Sequence, residues 1–380
     1  MRAEEIVIVE AVRTPLGRRN GGLGGVHPVD LLAGVQREVL DRAGVDPEAV
    51  GQVVGGCVTQ VGAQCYNIAR NAWLTAGLPL SVAATTVDAQ CGSSQQAANL
   101  AVGLLAGGIV DVALACGVES MSQVPIGSNA NPDLGAGAPI PDSYHQVYEY
   151  TNQFEGAERI AQKWAVTRAD ADAFALRSQE LAAEAWADDR FAGQIVPVAG
   201  TELEVDEGPR PSSRDGLAGL KPVLEGGVHT AGSSSQISDG AAAVLLMTAS
   251  RAEALGVEPL ARIVDTCLVG VDPVLMLTGP IDATRLLLDR NGLTLDDLDV
   301  VEINEAFASV VVAWAREVGS DLRGVNPNGG AIALGHPLGA TGAVLLTKAI
   351  HELRRTGGRR ALVTMCCGAG LGTGTLIERV

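Results

Sequence analysis

Cys91 stands in VDAQCGSSQQAANLAVGLLAGG (87–108), where a strand-like ATTV gives way to glycine, two serines and an Ala/Leu segment apolar on all sides. A helix apolar all round is a buried one, so the thiol falls at the N-terminus of a predicted central helix. Unpaired N–H groups and the helix dipole favour a thiolate there. A thiol deprotonated near neutral pH is a nucleophile; the alternative is an inert buried cysteine, the commonest fate of that residue. His336 lies among the glycines of NPNGGAIALGHPLGATGAVLL (326–346) and precedes Pro337. So little bulk around a histidine suits a ligand pocket, and a helix-capping role stays open beside it. No G-x-x-x-x-G-K-[ST] can be read here, which removes the P-loop. Asn304 and Glu305 follow a strand in VEINEAFAS (301–309) and by themselves read as helix caps.

TMCCGAGLGTG (364–374) adds two adjacent cysteines and alternating glycines. Gly368 and Gly370 begin a dinucleotide fingerprint, but Thr373 occupies the place of the third glycine and only TLIERV follows Gly374, too short for the helix that motif requires. If 361–367 is a strand, its side chains alternate between faces. Val363, Met365 and Cys367 then share a wholly apolar face, and Leu362, Thr364 and Cys366 share the other. The two cysteines cannot both line one site, and Cys366 is the better candidate for chemistry.

The elements that must position these residues follow an α/β pattern: short Val/Ile runs (EIVIVEA, DVALACG, DVVEIN, RRALVTMCCG) alternate with Ala/Leu helical stretches at 100–106 and 344–353. The middle differs. Residues 127–144 read as loop and 157–186 as amphipathic helices, an insertion rather than core. A weak internal repeat relates LLAGGIVDVALACGVES near 104–120 to LRRTGGRRALVTMCCGAG near 353–370. Gly107 matches Gly357 and Cys116 matches Cys366, as two fused halves of one architecture would.

Composition bounds the function class. A formal charge of −17 argues against general nucleic-acid affinity. No apolar run approaches the roughly 18 residues of a membrane span, and the N-terminus reads as a strand rather than a leader, so a soluble cytoplasmic protein is expected. Seven cysteines with no C-x-x-C pair point to reduced thiols and away from a disulfide framework or a zinc ribbon; no metal site is expected.

Cys91 before a buried helix, NEAF, GHPLGATG and the C-x-G of Cys366 and Gly368 together resemble the thiolase family. The likeness runs along nearly the whole chain and includes GVESMS (117–122), DEGPRP (206–211) and HTAGSSSQISDGAAA (229–243). It implies an α/β thiolase fold: two duplicated βαβαβαββ halves forming a five-layer αβαβα core. Residues 1–120, completed by about 196–255, would make the N-terminal half and 256–380 the C-terminal half, with 121–195 an inserted loop domain covering CoA. It also implies roles. Cys91 would accept the acyl group; His336 would take its proton and, with a water held by Asn304, stabilise the thioester oxyanion. Cys366 would be the second acid/base, and the backbone N–H groups of Cys91 and Gly368 would form the other oxyanion hole. Arg210 would lie near the CoA nucleotide and Ser235 near pantetheine. No permanently bound cofactor is implied, CoA being a co-substrate, and a homodimer or homotetramer is expected. Glu119 and Met121 are expected to be structural rather than catalytic, and the remaining cysteines (Cys57, Cys65, Cys116, Cys267) match no motif and are expected in the core.

The short-chain acetoacetyl-CoA type carries H-M-G-x-T-A-E-N in its loop domain. Here TNQFEGAERIA (151–161) puts Asn152 and Gln153 where His and Met would be, and SSSQISDG (233–240) puts Ser233 and Gln236 where Asn and Gly are usual. With RTPLGRRNG near the start, these departures resemble degradative thiolases acting on bulky chains, including bacterial steroid side-chain enzymes. A linear fatty 3-ketoacyl-CoA and acetoacetyl-CoA stay open as substrates. Two rival classes are a decarboxylating condensing enzyme, which uses a second histidine where Asn304 stands, and a non-catalytic thiolase-like partner subunit.

Overall fold

Two consecutive runs of strand and helix, similar in order, build the molecule. The computed structural model describes residues 4–135 and 137–380. The first run comprises β1 (Ile6–Arg13), β2 (Gly17–Arg18), α1 (Pro28–Ala43), β3 (Gln52–Gly56), α2 (Ile68–Thr75), β4 (Ala83–Val87), α3 (Ser93–Ala106) and β5 (Val112–Ser120). The chain then leaves the sheet for α4 (Gln153–Lys163), α5 (Arg168–Ala187) and α6 (Arg214–Ala218), and returns as β6 (Ser238–Thr248) and α7 (Ala249–Leu255). The second run comprises β7 (Ala261–Gly270), α8 (Gly279–Asn291), β8 (Val300–Ile303), α9 (Ala308–Val318), α10 (Ala331–Leu334), α11 (Thr341–Thr356), β9 (Arg360–Cys367) and β10 (Leu371–Arg379).

The sheet order is β4-β3-β5-β6-β1-β7-β10-β9-β8, with β2 beside β6. It is symmetric about the β1/β7 junction, where the halves meet through Val7↔Arg262 and Ile8↔Ala261. Each half has an antiparallel centre and a parallel flank: β3 runs parallel to both β4 and β5, and β8 parallel to β9. The strand of the second half that would correspond to β4 is reduced to one parallel bridge, Val301↔Val325.

Three apolar clusters define the layers. The middle one joins Ala98, Ala101 and Leu105 of α3 and Val344–Leu346 of α11 to inward residues of both half-sheets, including Val363, Met365 and Cys367. Outside the first half-sheet lie α1 and α2; outside the second lie α8 and α9. The Gly-Gly-strand-Cys repeat is therefore structural: α3 leads into β5 and Cys116 as α11 leads into β9 and Cys366. Local signals agree with the tertiary layers. A capping box of Asn152 with Glu155 starts α4, and one of Thr167 with Asp170 starts α5.

One expectation changes. The α3 segment is apolar on all sides, yet only its first turns and inner face are buried; Leu100 is 42% exposed and Ile109 beyond the helix is 68% exposed. Among the described residues, none covers that stripe. Among the described residues, no helix is long and apolar enough to cross a membrane.

The central helices approach closely because glycines face them. A Cβ on Gly342 would lie 2.3 Å from the backbone nitrogen of Gln95, and one on Gly117 2.2 Å from the carbonyl oxygen of Gly339. Gly342→Ala must push α11 off α3, and such overpacking costs about 1–3 kcal/mol. Urea denaturation should show a lower midpoint at unchanged m-value; an unchanged midpoint would refute this account of the contact.

Candidate active site

Cys91, Asn304, His336 and Cys366, far apart in sequence, converge at the end of the sheet where the central helices begin. Cys91 precedes α3 on a tight turn: Gln90 has φ 52°, and the N–H groups of Gly92 and Ser93 are used on the carbonyls of Ala89 and Gln90. The helix N-terminus therefore has fewer free donors for the thiol than the sequence suggests. The donors that do act on the Cys91 sulfur are the backbone N–H groups of Gly368 and of Cys91 itself. Although Cys91 keeps one face open to the pocket, burial outweighs these donors and pushes its thiol up to about 11. The expected resting thiolate is thus corrected: desolvation penalises the charged form more than the local dipoles favour it.

His336 supplies the partner. Its preceding residue, Gly335, has φ 117°, and a Cβ there would meet Ser238 Oγ at 2.3 Å, so only glycine lets the chain turn the imidazole inward. The backbone N–H of His336 donates to Gln236 O and Ser238 Oγ, both at 3.1 Å. Thr341 Oγ1 donates to Pro337 O at 2.9 Å and lies 2.7 Å from His336 Nδ1. With its only proton committed, that hydroxyl accepts from Nδ1–H, leaving Nε2 as the unprotonated, accepting nitrogen. Burial lowers the imidazole to about 4, so it is neutral at physiological pH and able to take a proton.

Asn304 sits between His336 and Cys366. Its amide Nδ2 is 3.4 Å from His336 Nε2, its side chain also bonds the Cys366 thiol, and its Oδ1 has no partner among the described residues. A buried amide oxygen without a partner is costly, so Oδ1 is an available acceptor at the site. The Cys366 thiol is raised by burial and by the neighbouring Cys91, and is contacted by the N–H of Ala306. Strand alternation holds: Cys366 joins Met276, Leu277, Ala306 and Phe307, whereas Cys367 packs in the central apolar cluster.

The pocket beside Cys91, His336 and Gly368 has a volume of ≈ 150 Å³. Met121, Ile126, Phe154, Leu277, Phe307 and Leu338 form its apolar walls, with Gln153, Ser235 and Gln236 as polar members. Met121, expected to be structural, is one of these walls. Asn152 caps α4 and is exposed, so of the two substituted loop positions only Gln153 faces the pocket. Gln236 donates to the carbonyls of Gly208, Ile332 and Ala333, bracing the loop that carries His336. Arg210 is exposed outside this pocket, in a separate groove with Gln179 and Glu180, and its guanidinium donates to Ala231 O.

Two buried glutamates that periodicity alone does not place hold the site together. Glu119 accepts from the backbone N–H groups of Val58, Thr59 and Gly339, tying the His336 loop to the first half. Glu305 accepts from Ser178, Asn326 and the Ile332 N–H, tying it to α5. A carboxylate inside an otherwise apolar strand, as in GVES, was the available signal.

Protonation links this geometry to stability. Between about pH 4 and 6.5 the unfolded chain binds a proton at His336 that the folded chain does not, so stability falls as pH drops through that window. Removing the titration with His336→Gln should flatten the fall by up to about 3 kcal/mol. Denaturation midpoints measured at pH 4.5 and 7 test this; identical pH slopes in both proteins would overturn the assignment.

Comparison with known proteins follows this geometry. The thiolase N-terminal domain family matches residues 6–250 and the thiolase C-terminal domain family residues 257–379. A steroid 3-ketoacyl-CoA thiolase of Mycobacterium tuberculosis is 49% identical over 385 residues, covering 99% of this chain and 94% of the relative. A beta-ketoadipyl-CoA thiolase of Pseudomonas aeruginosa is 43% identical, with 100% of both chains covered. The crystal structure of a Bacillus anthracis acetyl-CoA acetyltransferase superposes with a TM-score of 0.91 at 37% identity, over 100% of this chain and 99% of that one. The chain belongs to the thiolase family of acyltransferases.

Proposed function

We propose that the protein is a degradative 3-ketoacyl-CoA thiolase, using CoA as co-substrate to release acetyl-CoA or propionyl-CoA and a shortened acyl-CoA. The observation that carries this reading is the grouping of Cys91, His336, Asn304 and Cys366: Cys91 and His336 line one pocket, and Asn304 and Cys366 stand in contact behind them. In it, His336 Nε2 takes the Cys91 proton as the sulfur attacks the 3-keto carbon. Coupling the two events suits a thiol and an imidazole that are both neutral at rest. The oxygen of the attacked carbonyl is held by the N–H groups of Cys91 and Gly368. The C2–C3 bond breaks, and its electron pair becomes an enolate stabilised by His336 and a water on Asn304. Cys366 protonates C2 and then takes the proton of the incoming CoA thiol; the CoA thiolate attacks acyl-Cys91, and the departing Cys91 sulfur recovers its proton from His336, which restores the enzyme. Arg210, exposed beside its groove, and Ser235, on the pocket wall, are assigned to the CoA nucleotide and pantetheine, with the 121–195 segment as the cover.

A bulky acyl group, ring-bearing ones included, is the favoured substrate class. It is supported by the identity with the steroid 3-ketoacyl-CoA thiolase and by Gln153 and Phe154 on the pocket wall. The competing substrate is acetoacetyl-CoA, favoured by the small pocket volume of ≈ 150 Å³. Self-association as a homodimer or homotetramer is supported by the uncovered stripe at Leu100 and by β4, a terminal strand of the sheet flanked by exposed Tyr66 and Leu80.

Incubation with a 3-ketoacyl-CoA and no CoA should add the acyl mass to the peptide containing Cys91. Cys91→Ala should lose both that adduct and turnover; a Cys91→Ala enzyme that still performs thiolysis would sink the mechanism and favour the partner-subunit reading. Cys366→Ala should lower kcat by about 10²–10⁴-fold, while Cys367→Ala changes kcat little and costs stability. For substrate class, kcat/KM on a ring-bearing 3-ketoacyl-CoA should exceed that on acetoacetyl-CoA. A strong preference for acetoacetyl-CoA overturns that choice.

A further inference from the structure

His229 opens the HTAGSSSQISDG stretch and is buried, with 1% exposure, yet it does not line the Cys91 pocket and takes no part in the chemistry above. Both ring nitrogens are engaged. Nδ1 lies 2.8 Å from Glu158 Oε1, and Nε2 lies 2.8 Å from Ser309 Oγ. Burial alone would push Glu158 up, but the His229 ring and the N–H groups of His229 and Val228 outweigh it and hold the carboxyl down at about 2. It is thus a carboxylate, able only to accept, and Nδ1 carries the proton it receives.

The three segments joined in this way are the ones that carry the acyl side of the pocket. Glu158 lies on α4 one turn after Phe154, on the same side of the helix. Ser309 is the second residue of α9, two positions after Phe307, and its hydroxyl also donates to Ala157 O on α4 at 3.2 Å. His229 precedes Ser234, Ser235 and Gln236 on the opposite wall. The imidazole also touches the wall directly. Its ring meets Phe307 edge-on with centroids 5.3 Å apart, and Phe307 meets Phe154 edge-on at 5.2 Å. Phe307 has no polar tether of its own, so its orientation rests on the two rings packed against it.

We propose that His229 is the positioning residue of the acyl pocket, clamping Glu158 of α4 to Ser309 of α9 while its ring sets the Phe307–Phe154 wall against which a bulky acyl group lies. The proposal rests on the thiolase reading above and deepens it by naming what orders the acyl wall. A short acetoacetyl group reacts near Cys91 and does not need the wall in one fixed arrangement; an extended or ring-bearing acyl group does. Loosening the clamp therefore weakens bulky substrates selectively and leaves Cys91, His336 and Cys366 in place.

The test uses His229→Phe, which keeps a ring against Phe307 but removes both hydrogen bonds, and Ser309→Ala, which removes only one. In both variants Glu158 keeps the backbone N–H groups of residues 228 and 229, so folding is retained; circular dichroism and the denaturation midpoint check it. Steady-state kinetics are read on a series: acetoacetyl-CoA, a medium linear 3-ketoacyl-CoA and a ring-bearing 3-ketoacyl-CoA. On the bulkiest substrate that the parent protein turns over, KM should rise about ten-fold in His229→Phe, the scale of a lost hydrogen bond to a charged group, and less in Ser309→Ala. On acetoacetyl-CoA kcat should stay within about two-fold, a discrimination that a merely less stable enzyme does not produce. Equal proportional losses on all substrates, or no loss on the bulkiest one, would overturn the proposal. The parent protein's own activities along the series report separately on the thiolase reading and its substrate class.

Discussion

The close approach of α3 and α11 between the two half-sheets is the constraint on which the rest of the molecule depends. Gly342 lies against Gln95, Gly117 lies against Gly339, and the Ala343 N–H donates to Ser94 Oγ at 2.9 Å. A side chain at Gly342 would hold the helices apart, and one at Gly117 would push the turn before α11 off β5. With these elements in contact, the turn that carries Cys91 and the loop that carries His336 open into one space, though 245 positions separate the two residues (336 − 91). The carboxyl ends of β8 and β9 then deliver Asn304 and Cys366 to the same place. Duplication thus produces the site geometrically, since each half contributes a buried helix start at the junction.

Burial sets the chemistry as much as the residue types do. In water a cysteine and a histidine would titrate close to neutrality. Here burial moves the Cys91 thiol to about 11 and the His336 imidazole to about 4, in opposite directions and both toward the neutral form. Thiol and imidazole are thus both held in their neutral forms on one pocket wall. The imidazole's tautomer is fixed by Thr341, whose hydroxyl proton is committed to Pro337. One residue outside the reacting group thereby decides which nitrogen is basic.

Around this centre the polar interior works as a set of clamps. Glu119 fastens the His336 loop to the first half, Glu305 fastens it to α5, and His229 joins α4 to α9. Each carboxylate collects several N–H or O–H donors, which is the condition for keeping a charge buried at tolerable cost. These clamps all span segments distant in sequence, so they resist the separation of layers that hydrophobic packing alone would allow.

Much of the fold was legible in the chain. Alternation along 361–367 separates Cys366 from Cys367, and the Gly-Gly-strand-Cys repeat reveals the two halves, because strand period and helix boundaries are local properties of the backbone. Cys91, His336 and Cys366 were candidates from local pattern, a helix start, a glycine-rich loop and strand alternation, whereas Asn304 by itself read as a helix cap and gained a role only from the thiolase resemblance. What local pattern could not decide was decided by tertiary contact. The sign of the Cys91 shift depends on how much water the packed layers exclude, and α3 looked wholly buried because composition does not record which face the rest of the chain reaches. Met121 and Phe307 became pocket walls, and His229 a clamp, only once α4, α9 and the 228–237 segment were brought together. Residue type and spacing determine which groups are available for chemistry; distance, desolvation and hydrogen-bond partners exist only in the folded molecule, and they determine what those groups do.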